Sequence, residues 1–137
     1  MSFSNAIEVE LLDHILGDGS FDSPSETWVG LFTTACTDAS AGTECSGTGY
    51  VRKQIAAGEW DPAASGSPST KKNSAVITFA TAGSGGWGTV THFAIFDDVS
   101  DSTGSNYLMY GSLTDSKTIT EGDTASFAID AITVSLD

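Results

Sequence analysis

Apolar and polar residues alternate along two stretches, WGTVTHFAIFD from Trp87 to Asp97 and NYLMYGSL from Asn106 to Leu113. Alternation with a period of two is the mark of a strand that turns one face to a core. The Asp, Ser, Thr, Gly and Asn residues between the stretches suit a turn, so the segment from Trp87 to Leu113 predicts a β-hairpin. In its first strand Val90, His92, Ala94 and Phe96 share one face, and Thr91, Phe93, Ile95 and Asp97 share the other. One of these faces is expected to enter a core. A helical period appears only near the start, where Ile7, Leu11, Leu12, Ile15 and Leu16 form a stripe over Asn5 to Leu16. Asn5 with Glu8 predicts a capping box and Gly17 a stop. Val9 and Leu12 carry apolar groups onto a second side of this helix, which is therefore a candidate attachment element.

The remaining pattern is one of short strands punctuated by Gly, Ser, Thr, Asp and Pro. Besides the hairpin, strands are expected over Thr27 to Thr33, Tyr50 to Ile55, Ser74 to Phe79, Lys117 to Ile119, Thr124 to Ile129 and Ile132 to Leu136. The fold class that follows is mainly β, an antiparallel β-sandwich or barrel of jelly-roll or immunoglobulin-like type with one N-terminal α-helix. At 137 residues a single domain, 1–137, suffices to bury a core without metals or multiple disulfides. Trp28, Phe32, Phe79, Phe93, Phe96 and Phe127, with Leu31, Ile77, Ile95, Leu113, Val134 and Leu136, are the expected core. Two tracts, Ala35 to Gly49 and Gly58 to Lys72, are too long for simple turns and are the expected contact loops.

Charge narrows the partners. Eighteen Asp and Glu against five Lys and Arg give a formal charge of −13, which repels nucleic acid and anionic lipid. The acids are scattered and 39% of residues are hydrophobic, so the chain is a folded acidic protein and not a disordered tail. No apolar run reaches the ~20 residues of a spanning helix. The start MSFSNAIEVE lacks the basic residues of a signal peptide, so a soluble product with no membrane partner is expected.

Candidate chemistry adds little. No nucleophile elbow or HExxH helix accompanies His14 or His92. Packing or hydrogen bonding is their expected role. Asp97, Asp98 and Asp101 at the hairpin tip could offer oxygens to calcium, yet lack the spacing of an EF-hand, so a solvated tip is the default. Scattered carboxylates single out no glycosidase pair. The string AGSGGWG, Ala82 to Gly88, has no following lysine and leads into a strand, so it reads as a wide turn and not a phosphate loop. No enzyme activity, cofactor or metal is expected. Trp60 stands out because its segment GEWDPAASGSPSTKKN also carries Lys71 and Lys72, an aromatic and two cations on an acidic chain. Together with Arg52 and Lys53 these are candidate partner-binding residues for an acidic neighbour. The alternative reading has the loop folded over the end of the sandwich with Trp60 covering the core.

The segments LLDHILGDGSF, WVGLFTT, TDASAGTECSGTGYVR, NSAVITF, WGTVTHFAIFD, YGSLTDSKTITEGDTASF and ITVSL together resemble a family of small tailed-bacteriophage virion structural proteins. Members are often labelled tail or tail-fibre proteins, and some head decoration proteins. The resemblance implies a virion address, made in the host cytoplasm, and no catalytic residues. Small size and acidity place capsid decoration (cement) first, as a homotrimer bound to the major capsid protein or other virion proteins on the capsid exterior. A tail or fibre role is the alternative, although neither repeats nor a coiled-coil stretch is present.

Cys36 and Cys45 depart from that family's pattern. Their separation, with Gly42 between them, permits a disulfide stabilising by ~2 to 3 kcal/mol. Assembly in a reducing cytoplasm favours two free thiols, and release into oxidising surroundings favours the bridge, so the spacing leaves both open. With both histidines far away no zinc site is expected.

Overall fold

A computed structural model describes residues 1–17, 19–21, 23–99 and 107–136. Asp101 of the acidic tip and Asn106 of the second hairpin strand lie outside the described residues. After a short strand β1, Ser2–Phe3, comes helix α1, Asn5–Leu16. The helix has the expected bounds, but its cap lies one residue earlier. Ser4 is extended, with φ −79° and ψ 155°, and its Oγ accepts from the Ile7 N–H at 3.5 Å. Asn5 is instead the first helical residue, and its N–H donates to the Asp38 carbonyl at 2.9 Å. Gly17 ends the helix at φ 96°, a left-handed conformation that glycine enters without a Cβ penalty, and its N–H returns to the Asp13 carbonyl.

The other strands are β2 Glu26–Phe32, β3 Lys53–Ala56, β4 Ser69–Lys72, β5 Ile77–Thr81, β6 Gly88–Phe96, β7 Tyr107–Ile119, β8 Thr124–Phe127 and β9 Thr133–Leu136. A five-stranded sheet runs in the order β1-β7-β6-β2-β3, with two smaller pairs, β4-β9 and β5-β8, and every pairing is antiparallel. The fold is thus mainly β with sandwich-like sheets and one N-terminal helix.

β6 and β7 form the expected hairpin, from Phe96 opposite Tyr107 to Gly88 opposite Ile119. The simple alternation breaks between Val90, opposite Lys117, and His92, opposite Ser112, where Thr91 alone faces residues 113–116. This bulge rotates Val90 onto the same side as Phe93 and Ile95. It also explains why the sequence suggests two strands where β7 runs through as one.

Both faces of the large sheet are buried, where the alternation led to an expectation of one. Val29, Leu31, Ile55, Val90, Phe93 and Ile95 pack towards the β5-β8 and β4-β9 side with Ile77, Phe79, Trp87 and Ile132. Phe32, Ala94, Phe96 and Tyr107 pack on the opposite side with Cys36. The tract after β2 covers that second face. Thr33 donates to the Thr43 carbonyl, Cys45 donates to that of Leu31, and the Tyr107 and Tyr110 hydroxyls bind Thr37 O and Asp38 Oδ1. The expected core therefore divides in two. Leu31, Ile77, Phe79, Phe93 and Ile95 are buried on one side and Phe32 and Phe96 on the other, with Trp28 half-buried beside them. Phe127, Leu113 and Val134 are half-buried, and Leu136 is exposed.

The tract from Gly58 is not wholly irregular. It holds part of a short 3-10 turn, Ala57–Glu59, and ends in β4, whose Lys71 pairs with Val134 of β9. Asn73, fully buried just after β4, ties this side together. Its Nδ2 donates to the Ala75 and Ala128 carbonyls at 2.8 Å each, and its Oδ1 accepts from the Ile132 N–H at 2.8 Å.

Candidate functional site

Helix α1 turns only Ile7 fully into the core, with Leu11 half-buried beneath it. Val9, Leu12, Ile15 and Leu16 remain 58%, 57%, 67% and 76% exposed, so more than half of each side chain faces water. Beside this helix the large sheet and the β4-β9 pair part to leave a cleft of about 550 Å³. Phe3, Ile7, Trp60, Ile95, Met109 and Leu136 contribute to its lining, and the wall is overwhelmingly apolar. Ile7 and Leu11 belong both to the cleft and to the helical stripe that continues to Ile15, so groove and helix face form one apolar surface. Contiguous exposed apolar surface of this kind marks an interaction site on a folded protein.

The partner-binding candidates divide between the two faces of the sheet. Trp60 and Lys71 line the cleft. Trp60 is half-buried against the core, with its Nε1 donating to Thr27 Oγ1 at 3.1 Å, and Lys71 Nζ donates to the Asp61 carbonyl at 2.8 Å. Lys72 is half-buried next to Lys71, and Lys53 is exposed at the start of β3, opposite Val29. Arg52 lies on the other face and is 9% exposed. Its Nε and Nη2 donate to Glu44 Oε1 and Oε2 at 2.9 and 2.8 Å, its Nη1 donates to the Asp98 carbonyl, and its guanidinium covers Phe96. Tyr50 completes this group, giving its hydroxyl proton to Glu44 Oε1 at 2.8 Å and accepting from the Leu31 N–H at 2.9 Å. Burial, and then the Glu44 carboxylate, push the Tyr50 phenol well above its ordinary value. Nothing in the local sequence flags Glu44 or Tyr50. Gly30 is the one available signal, because a Cβ there would lie 2.9 Å from Glu44 Oε1 and 3.2 Å from the Phe96 ring.

Cys36 and Cys45 are free thiols, so the bridge that their spacing permits is not formed. They belong to different core clusters, Cys45 with Leu31 and Cys36 with Phe32 and Tyr107, on opposite sides of the sheet. Burial, reinforced by the nearby Glu44 charge, pushes Cys45 up to about 11, and burial raises Cys36 as well. Such thiols carry little thiolate at neutral pH. The histidines make local hydrogen bonds: His14 Nδ1 accepts from the Phe21 N–H at 3.3 Å, and His92 Nδ1 lies 2.8 Å from Thr91 Oγ1. Among the described residues, no three His, Cys, Asp or Glu side chains converge as a metal site would require.

A family model described as "Podophage GP4 fiber I protein gp80" matches residues 2–135. No curated protein matches the chain.

Proposed function

Because the chain belongs to the podophage GP4 fiber I protein gp80 family, a family of bacteriophage virion structural proteins, we propose that it is a structural component of a tail fibre. The observation that carries this reading is the extent of the match, which runs from β1 into β9 and so takes in every element around the cleft. The match gives no support to capsid decoration, the role that small size and acidity placed first, and favours the tail role held as its alternative. No helix among the described residues is long and apolar enough to cross a membrane.

In this role the protein supplies a rigid sandwich and an apolar docking surface rather than a reaction. A homotrimer is the assembly proposed with it, because identical subunits around a fibre axis bind together with the avidity of linked sites. Imaging of intact particles with an antibody or density assigned to this chain tests the reading. Signal at the tail is expected. Signal spread over the icosahedral shell overturns it.

A further inference from the structure

Two recesses flank the first half of α1, and they differ in chemistry. On one side lies the apolar cleft of about 550 Å³. On the other, a smaller recess of about 210 Å³ is lined by Glu10 and Asp97, with Ile7, Phe21 and Leu108 shared between the two. Glu10 and Asp97 are exposed, and neither carboxylate has an ion-pair partner among the described residues. Glu8 and Asp13 add two further exposed acids to the helix, which has no Lys or Arg. A ligand lying across α1 therefore meets an apolar trough and an acidic socket together.

The geometry points to one occupant, a basic, apolar segment of another virion protein that lies across α1. Its aliphatic or aromatic side chains enter the cleft over Ile7 and Leu11, and one Arg or Lys enters the socket between Glu10 and Asp97. An apolar anchor in a groove supplies the burial, and a charge-assisted hydrogen bond to a carboxylate fixes the register. Charge selects this class of partner. A second copy that met this face with its own α1 would set acids against acids, and anionic lipid and nucleic acid are repelled in the same way. This inference deepens the tail-fibre reading and rests on it for the identity of the partner as a virion protein.

The test uses phage carrying substituted copies of the full chain, with copies per particle measured by quantitative mass spectrometry against the wild type. Glu10→Lys combined with Asp97→Lys should lower occupancy about tenfold or more, because it places like charges where a cation docks. Glu10→Gln with Asp97→Asn should fall between. Ser25→Trp, which projects bulk from an exposed position into the cleft, should lower occupancy by itself. Melting temperatures of the purified variants should match the wild type. Second-site suppressors of the double lysine variant should replace a Lys or Arg in a different virion protein. Undiminished occupancy of both the double lysine variant and Ser25→Trp overturns the inference. It is also overturned by suppressors that map only within this chain, or by an oligomer of the purified protein that the double lysine variant dissociates, either of which makes the face a contact between copies. A wild-type chain located on the shell overturns the tail-fibre reading instead, since the ratio of variant to wild type is measured wherever the chain binds.

Discussion

Arg52 grips Glu44 through two parallel hydrogen bonds while its guanidinium lies 3.4 Å from the centroid of the Phe96 ring. Planar guanidinium geometry makes both contacts at once, which an ammonium cannot do. The pair holds the end of the 33–49 tract to the second face of the sheet, and Gly30 leaves the space in which Glu44 sits. Arg52→Met should destabilise the fold by about 2 kcal/mol, below the range for a fully buried pair because Glu44 keeps some contact with water. Arg52→Lys should recover only part of the loss. Gly30→Ala should cost about 1 to 3 kcal/mol, since its Cβ forces Glu44 and Phe96 apart. Urea unfolding of the three variants measures each.

Asn73 should be among the positions least tolerant of substitution. Asn73→Ala leaves the buried Ile132 N–H and the partly buried Ala75 and Ala128 carbonyls without their side-chain partner, for an expected loss of about 2 to 3 kcal/mol. Asn73→Asp keeps the acceptor but sets a carboxylate oxygen against the Ala75 and Ala128 carbonyls, and should be worse at neutral pH. Thermal unfolding gives the order of the two.

Trp60→Ala should lower stability by about 2 to 3 kcal/mol, because the indole covers the core at the cleft and its Nε1 reaches Thr27. Chemical denaturation checks the value. Trp60→Phe should restore most of the loss, leaving the part due to the hydrogen bond.

Stability should fall at alkaline pH. Cys45 titrates at about 11 in the fold against 9.0 unperturbed, so between these values the unfolded chain releases a proton that the native state holds. The stabilisation is complete below pH 9 and is lost as the pH rises through 11. Cys36 and Tyr50 are raised too and act in the same direction. Denaturation midpoints across this window should decline, and Cys45→Ala should flatten the decline. At neutral pH both thiols should react with a disulfide reagent only after unfolding, and the intact mass should be that of the fully reduced chain.

The local pattern of the chain foretold a good deal of this. Helix α1 and its glycine stop follow from a stripe and a left-handed residue close together in sequence, and the β6-β7 hairpin follows from alternation on both sides of a polar turn. β4 escaped because STKK carries no apolar alternation and becomes a strand only by pairing with β9, more than sixty residues away. The bulge at Thr91 escaped for a similar reason, since the extra residues that create it belong to β7. Of the candidate site, Trp60, Lys71 and the second apolar side of α1 were legible as unusual residues in their contexts. The cleft that joins Trp60 and Lys71 to α1 was not.

Local pattern sufficed for α1 and for the strands that carry apolar alternation, for the acidity that sets the charge of any partner, and for the excess of apolar residues on α1. These depend on neighbours within a turn of helix or a few residues of strand, where covalent geometry fixes which side chains share a face. Only the tertiary structure decided that the large sheet is covered on both faces. That choice put Arg52 and Glu44 on one side and Trp60 and Lys71 on the other, separated Cys36 from Cys45, and opened recesses on both flanks of α1. The reason is physical: alternation records that a residue turns from its neighbour, but burial depends on what the rest of the chain brings against each face, and that is set by pairings between residues far apart in sequence.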